Sequence, residues 1–207
     1  MSQPAASRRP KSPRQLQLAL RQRGRGGARA NAGRKKGPRV SHHPREGLAS
    51  RFPVHVTLRV LPAVWNLRGR LCFRALRGAF ASGRRRAGFR LVHFSVQGNH
   101  LHLVVEAADE RALARGMQGL AVRMAKGLNR EMGRGGPVFA DRYHAHILRS
   151  LAEVRNAVAY VLGNFAKHLA GQGRSAGSGF VDPCSSDWPG AGELVAPPQT
   201  WLLSGSG

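Results

Sequence analysis

The chain has 207 residues, with 34 lysines and arginines against 10 acidic residues and a formal net charge of +24. That length suits one domain with tails, and that charge suits a polyanionic partner, nucleic acid above all. Cys72 and Cys184 form no CxxC pair, no run reaches the roughly 20 apolar residues of a membrane span, and the basic N-terminus lacks the apolar core of a signal peptide, so a cytoplasmic, nucleoid-associated protein is expected.

Residues 1–50 are rich in Pro, Ser, Gly and Arg and show no hydrophobic period, which reads as an unstructured basic arm that binds DNA. Fourteen basic residues precede Pro53 against one acid, Glu46. Within the arm, the run Gly33–Arg39 resembles a minor-groove hook, with Arg34, Lys35 and Lys36 as candidate nucleic-acid contacts. A solvated basic tail that raises non-specific affinity is the competing reading.

A folded domain is expected over residues 51–170. Val54, Val56, Leu58 and Val60 alternate with His55, Thr57 and Arg59, the pattern of a strand with one apolar and one phosphate-friendly face. Val64, Leu67, Leu71, Ala75, Leu76 and Phe80 keep helical spacing, predicting a helix over Val64–Phe80 that ends before the Arg84–Arg86 run. Phe89–Gln97 predicts a second strand, with Val92, Phe94 and Val96 inward. Gly98-Asn99 favours a two-residue hairpin turn into a third strand, His100–Glu106. Side chains alternate along a strand, so His100 and His102 point the same way.

Leu113, Met117, Leu120, Met124, Leu128 and Met132 form the core stripe of a helix over Asp109–Met132. A fourth strand follows around Tyr143–Ile147. Ser150-Leu151-Ala152-Glu153 is a capping box that opens a third helix reaching about Leu169. Residues 171–207 are Gly-, Ser- and Pro-rich and are expected to be loosely structured.

Strand, helix, strand, strand, helix, strand is the split βαβ order, a ferredoxin-like or RRM-like α+β fold with helices on one face of an antiparallel sheet and one further C-terminal helix. The other face is expected to stay open. It would carry His55, Thr57, Arg59, His93, Ser95, Gln97, His100, His102, His144 and His146, a surface suited to a single strand of nucleic acid.

Two imidazoles side by side can share a metal ion or a phosphate, or simply make surface hydrogen bonds. Asn156, Tyr160, Asn164 and Lys167 fall at helical steps and line a polar face of the third helix. Set against the His pair, that face would bring an amide oxygen to a metal and a phenol one turn away. A free phenol, with a pKa of about 10, is a poor nucleophile at neutral pH. It becomes useful when the target is a phosphodiester held by a metal. Only Tyr143 and Tyr160 are available, and Tyr143 alternates with inward residues. Arg142 and His144 are candidate DNA contacts, although Arg142 has Asp141 and Glu153 as possible ion-pair partners.

His100-Leu101-His102 resembles the HUH motif, and Tyr160-Val161-Leu162-Gly163-Asn164 resembles the Tyr-x-x-x-Asn of the REP-associated tyrosine transposases. The stretches Pro53–Arg59, Val138–His144 and Glu153–Ala157 are similar to that family too, and the likeness spans roughly residues 40–170. It implies metal ligation by His100, His102 and Asn164, with Mg²⁺ or Mn²⁺ as the ion, and Tyr160 as nucleophile. The implied reaction is cleavage of single-stranded DNA to a 5′-phosphotyrosine and a free 3′-OH, followed by strand transfer. The implied substrate is a DNA hairpin with a flanking short recognition sequence, bound by a monomer or homodimer. The tail after Arg174 holds no lysine or arginine, a departure from the family's basic C-terminal segment. A non-catalytic single-strand-binding module and a water-using phosphoesterase are the rival classes.

Overall fold

The structure, a computed structural model, describes residues 47–205. Its elements are β1 (Val54–Arg59), α1 (Arg70–Gly83), β2 (Arg85–Arg86), β3 (Phe89–Val96), β4 (His100–Ala107), α2 (Glu110–Glu131), β5 (His144–Ile147), α3 (Leu151–Gly171) and α4 (Trp201–Ser204), with a 3-10 turn at Pro189–Ala191. The basic arm, with Arg34, Lys35 and Lys36, lies outside the described residues except for its last four positions.

The five strands form one antiparallel sheet in the order β2–β3–β4–β1–β5. Apart from the two-residue β2, this is the predicted split βαβ arrangement. The apolar halves of β1 and β4, among them Val54, Val56, Leu58, Leu101, Leu103 and Val105, pack against Leu76 and Phe80 of α1 and Met117, Leu120 and Met124 of α2. Asp109 caps α2 by accepting a hydrogen bond from the Ala112 amide at 2.7 Å, as its side-chain oxygen suits that position.

α1 begins at Arg70, six residues later than the periodicity suggests. Val64 and Leu67 are buried, but from a loop. The Leu67 amide donates to Gly98 O of the β3–β4 turn and the Arg68 amide donates to Asn66 Oδ1, bonds that a helix here would forfeit. Leu71, expected inward, is 39% exposed. The Arg84–Arg86 run does not simply end α1: Arg85 and Arg86 pair with Arg90 and Phe89 across a turn in which Gly88 has φ 71°.

The largest departure concerns the face expected to be open. α3 lies on it. Val154, Ala157 and Val161 of α3 pack on Val92 of β3 and Val104 of β4, with Leu148 and Leu203 at the margins, as a second small core. Val92 was expected inward, beside Phe94. A β-bulge between Leu91 and His93 inserts one residue and turns Val92 to the α3 side. After α3 the chain pairs along the outer edge of β3 and sends Cys184, Ala191 and Leu194 into the main core. Ser186 donates its amide to Phe94 O, Ala196 donates to Leu91 O, and Ser185 bridges Ser95. The tail has little regular structure, as its composition suggests, yet it is anchored.

Arg68 holds one of these anchors. Its guanidinium grips Asp182 through Nη1 at 2.9 Å and Nη2 at 2.6 Å, donates to Val96 O at 2.8 Å, and stacks 3.4 Å from the centre of the Phe165 ring. The Asp182 side chain is 2% exposed. Glu106 holds the other. Its carboxylate accepts from Arg90 Nε, the amides of Gln199 and Thr200, and Thr200 Oγ1. Burial would raise its pKa, but these donors outweigh burial and hold it below the ordinary carboxylate value.

Two outcomes test this architecture. Removing one partner of a buried ion pair strands the other, so Arg68→Ala should cost about 3–5 kcal/mol in urea unfolding. A loss under about 1 kcal/mol would mean that the pair is screened as at a surface. At Gly116 a Cβ would lie 2.1 Å from Cγ of buried Phe89, whereas at Gly78 it would meet nothing within 4 Å. Both substitutions to alanine favour helix by about 1 kcal/mol. Gly78→Ala should therefore raise Tm in calorimetry and Gly116→Ala should lower it, because overpacking costs about 1–3 kcal/mol.

Candidate active site

The β3–β4 hairpin sets the first half of the site. The Gln97 amide donates to His100 O at 2.8 Å and closes the turn at Gly98-Asn99. His102 then lies in the sheet between Thr57 of β1 and Ser95 of β3, and His100 lies opposite Arg59. The two rings are 4.9 Å apart at 90°. His100 donates Nδ1–H to Asn99 Oδ1 at 2.8 Å. His102 Nδ1 lies 3.2 Å from both His55 Nε2 and Thr57 Oγ1.

α3 sets the second half. Ser150 and Glu153 form the predicted capping box, which fixes where the helix starts. From there the sheet-facing positions run Val154, Ala157, Val161 and Asn164. Asn164 is only 3% exposed. It therefore lies on the buried side of α3, not on the outer polar face with Asn156 and Lys167 as its spacing suggested. Tyr160 stands at the boundary, 38% exposed. Its ring is 5.1 Å from that of His102 at 82° and 6.0 Å from that of His55. Lys167 Nζ is 5.5 Å from the Tyr160 ring centre. Tyr143 packs at the margin of the main core, on the other side of the sheet.

Burial and crowding keep these imidazoles neutral. His102 is pushed down to about 3, first by burial and then by His100, His55 and His168. His55 is pushed down to about 4 by burial, then by His146 and His144. Burial, His168 and Arg59 lower His100. A neutral imidazole is the form that ligates metal.

The donor set suits a divalent ion. Among the described residues no three His, Cys, Asp or Glu side chains converge on one point, so an ion held by His100 and His102 would need a third ligand of another type. His102 Nε2 and Asn164 Nδ2 are both buried without a hydrogen-bond partner. Unpaired buried polar atoms are costly, and a half-turn of the carboxamide exchanges its nitrogen for a ligating oxygen. Two imidazoles and an amide oxygen fit Mn²⁺ and, less well, Mg²⁺.

The other candidates are more dispersed. Arg59 is exposed next to His100 in the register, and His144 is exposed on the edge strand opposite Thr57. Arg142 pairs with neither Asp141 nor Glu153 through its side chain: only its amide donates to Asp141 Oδ1, and its Nε is buried without a partner. The residues not singled out in sequence are His55, Thr57 and His168. The alternation of β1 put His55 and Thr57 on the right face, but only the register with β4 brings them to His102. His168 continues the four-residue step from Tyr160 and Asn164, and its ring lies 5.9 Å from His100. Beside His100 a cavity of about 250 Å³ opens between the β3–β4 turn and α3, with Asn99, Phe165, His168 and Gln172 in its wall.

A histidine held neutral by burial binds fewer protons folded than unfolded. Its contribution to stability is complete above the unfolded value of 6.5 and is lost as pH falls toward about 4 for His55 and about 3 for His102. In chelator, the urea midpoint should fall between about pH 7.5 and about pH 5, a window above the titration of Glu106. A flat midpoint across that window would contradict the buried neutral cluster.

Two solved structures are similar to this chain to different degrees. One is a REP-associated tyrosine transposase bound to a REP hairpin. It superposes with a TM-score of 0.53 at 17% sequence identity, covering 71% of this chain and 82% of that one. The other is a candidate transposase from Deinococcus radiodurans R1, with a TM-score of 0.40 at 12% identity, covering 67% of this chain and 99% of that one. No family profile matches the sequence, and no curated protein does either. The first superposition establishes that this chain has the fold of that transposase.

Proposed function

We propose that the domain is a metal-dependent single-stranded DNA transposase of the HUH type, with Tyr160 as its nucleophile and the His pair of its own chain as the partner site. The observation that carries this reading is the meeting of β4 and α3. Tyr160 reaches the His102 ring, and Asn164, one helical turn on, is buried on the sheet-facing side of α3. These residues lie more than fifty positions apart in sequence from the His pair and meet only through the fold. The hairpin carried by the structurally similar transposase agrees with a nucleic-acid substrate here.

His100, His102 and Asn164 would hold Mg²⁺ or Mn²⁺, which when bound withdraws charge from a phosphodiester and orients it. Tyr160 Oη attacks the phosphorus in line. The P–O bond to the 3′ oxygen breaks, leaving a 5′-phosphotyrosine and a free 3′-OH. The bond energy is conserved, so attack by a 3′-OH reverses the step and joins strands. Lys167, beside the Tyr160 ring, adds positive charge where the phosphate would sit. Arg59 and Arg142 extend that positive surface toward the edge strand, where His144 is exposed, and the cavity next to His100 gives the strand a berth against Phe165. The hairpin stem with its flanking recognition sequence is the substrate class.

The rival classes fit less well. A base-stacking module needs an open aromatic sheet face, and here α3 covers it. A water-using phosphoesterase needs a general base. Glu106, on the His102 side of β4, is committed to Arg90, Gln199 and Thr200.

Covalent trapping distinguishes these classes. With labelled hairpin DNA and Mn²⁺, a denaturation-resistant adduct should form with the wild type and Tyr143→Phe, and disappear with Tyr160→Phe and His102→Ala. Tight binding without an adduct across a panel of hairpins would instead favour the binding module.

A further inference from the structure

A histidine presents one nitrogen to a metal only if its proton rests on the other. Which nitrogen carries the proton is set by the partner of the non-ligating atom. His100 has such a partner: Asn99 Oδ1 can only accept, so the proton is on Nδ1 and the Nε2 lone pair is available. No amide or carboxylate is hydrogen-bonded to His102 Nδ1. Its Nδ1 side instead meets His55 Nε2 and Thr57 Oγ1, both at 3.2 Å, and its Nε2 side is buried with no partner. The His55 and His102 ring planes lie within 28° of each other with centres 5.3 Å apart, so the rings meet edge to edge through these nitrogens.

We propose that His55, seconded by Thr57, is the positioning residue of the site: its Nε2 accepts the Nδ1 proton of His102 and so turns the His102 Nε2 lone pair toward Asn164 and Tyr160. The inference rests on the metal-site reading above. The opposite tautomer fits worse. It would place an N–H at the buried Nε2, where nothing accepts it.

The device follows from the sheet register. Thr57 lies opposite His102, and His55 lies two residues back on the same face of β1. From there the imidazole of His55 reaches forward to His102 while its ring edge meets Tyr160 at 6.0 Å. One residue thus touches both the metal ligand and the nucleophile, and it orients them without itself contacting DNA or metal. His144 and His146 on β5 face His55 from the other side, and both are exposed.

The test reads the tautomer directly, in metal-free protein, from long-range ¹H–¹⁵N spectra of the imidazoles. Wild-type His102 should carry its proton on Nδ1. His55→Phe keeps the bulk of the ring and removes the acceptor. It should shift His102 toward the Nε2–H form and weaken Mn²⁺ binding in calorimetry about 10–100-fold. His55→Gln offers a carbonyl oxygen in place of the imidazole nitrogen and should restore much of both. A wild-type His102 protonated on Nε2, or an unchanged tautomer in a folded His55→Phe, would overturn the proposal. If His55→Phe does not fold, the wild-type and His55→Gln spectra still decide it: Nδ1–H in both is the expected result, and Nε2–H in either overturns it. Absence of Mn²⁺ binding in every protein, wild type included, would count against the metal-site reading, while the tautomer alone decides the role of His55.

Discussion

The seat of α3 on the sheet is the constraint on which the rest of the site depends. It is small: Val92 and Val104 from the sheet, Val154, Ala157 and Val161 from the helix. Burying a valine stabilises by about 1.5–3 kcal/mol, so this patch has only modest strength to hold a helix of 21 residues. Capping at Ser150 and the stacking of Phe165 on Arg68 fix its two ends. With the ends fixed, the rotation of the helix is fixed too. Asn164 follows Val161 at the next inward step and is buried on the sheet-facing side.

The sheet makes the complementary choice. β4 is apolar toward α1 and α2, with Leu101, Leu103 and Val105, and has Val104 as its apolar residue toward α3. His102 and Glu106 flank Val104 on the α3 side, and each is buried with a distinct purpose. Glu106 is satisfied by four donors and ties down the tail. His102 is satisfied on one nitrogen alone. In a native core most buried polar atoms are paired, so the one-sided pairing of His102 is an exception, and it is the exception for which the proposed metal site accounts.

Much of this was legible in the sequence. The strand alternation, the Met stripe of α2, the capping box of α3 and the His-Leu-His after a hairpin turn are local signals, and the structure contains each of them. The misplaced readings depended on non-local facts. Leu67 has the spacing of a helix residue, but its amide is taken by the β3–β4 turn. Val92 changes face because of a bulge that no alternation rule contains. Val104, apolar on a face assigned to polar groups, was the one local clue that something covers the sheet. Asn164 was grouped with Asn156 and Lys167 on a polar face of its helix but is buried on the sheet-facing side, because an amide counts as polar until its partners are known. The register of β1 with β4, which brings His55 to His102, is also a tertiary fact.

The two anchors of the tail have a consequence in time. Arg68 and Asp182 are 114 positions apart, and Glu106 and Thr200 are 94 apart. The hairpin that presents the His pair closes over a turn of two residues. Loop entropy makes distant contacts slow to form, so the hairpin and the helices that pack on it assemble early and the tail is laid down afterwards. During synthesis the strand and helix halves of the site would already be in place before Asp182 and Thr200 have left the ribosome. The segment from Asp182 to Thr200 then acts as a latch drawn over a domain already formed.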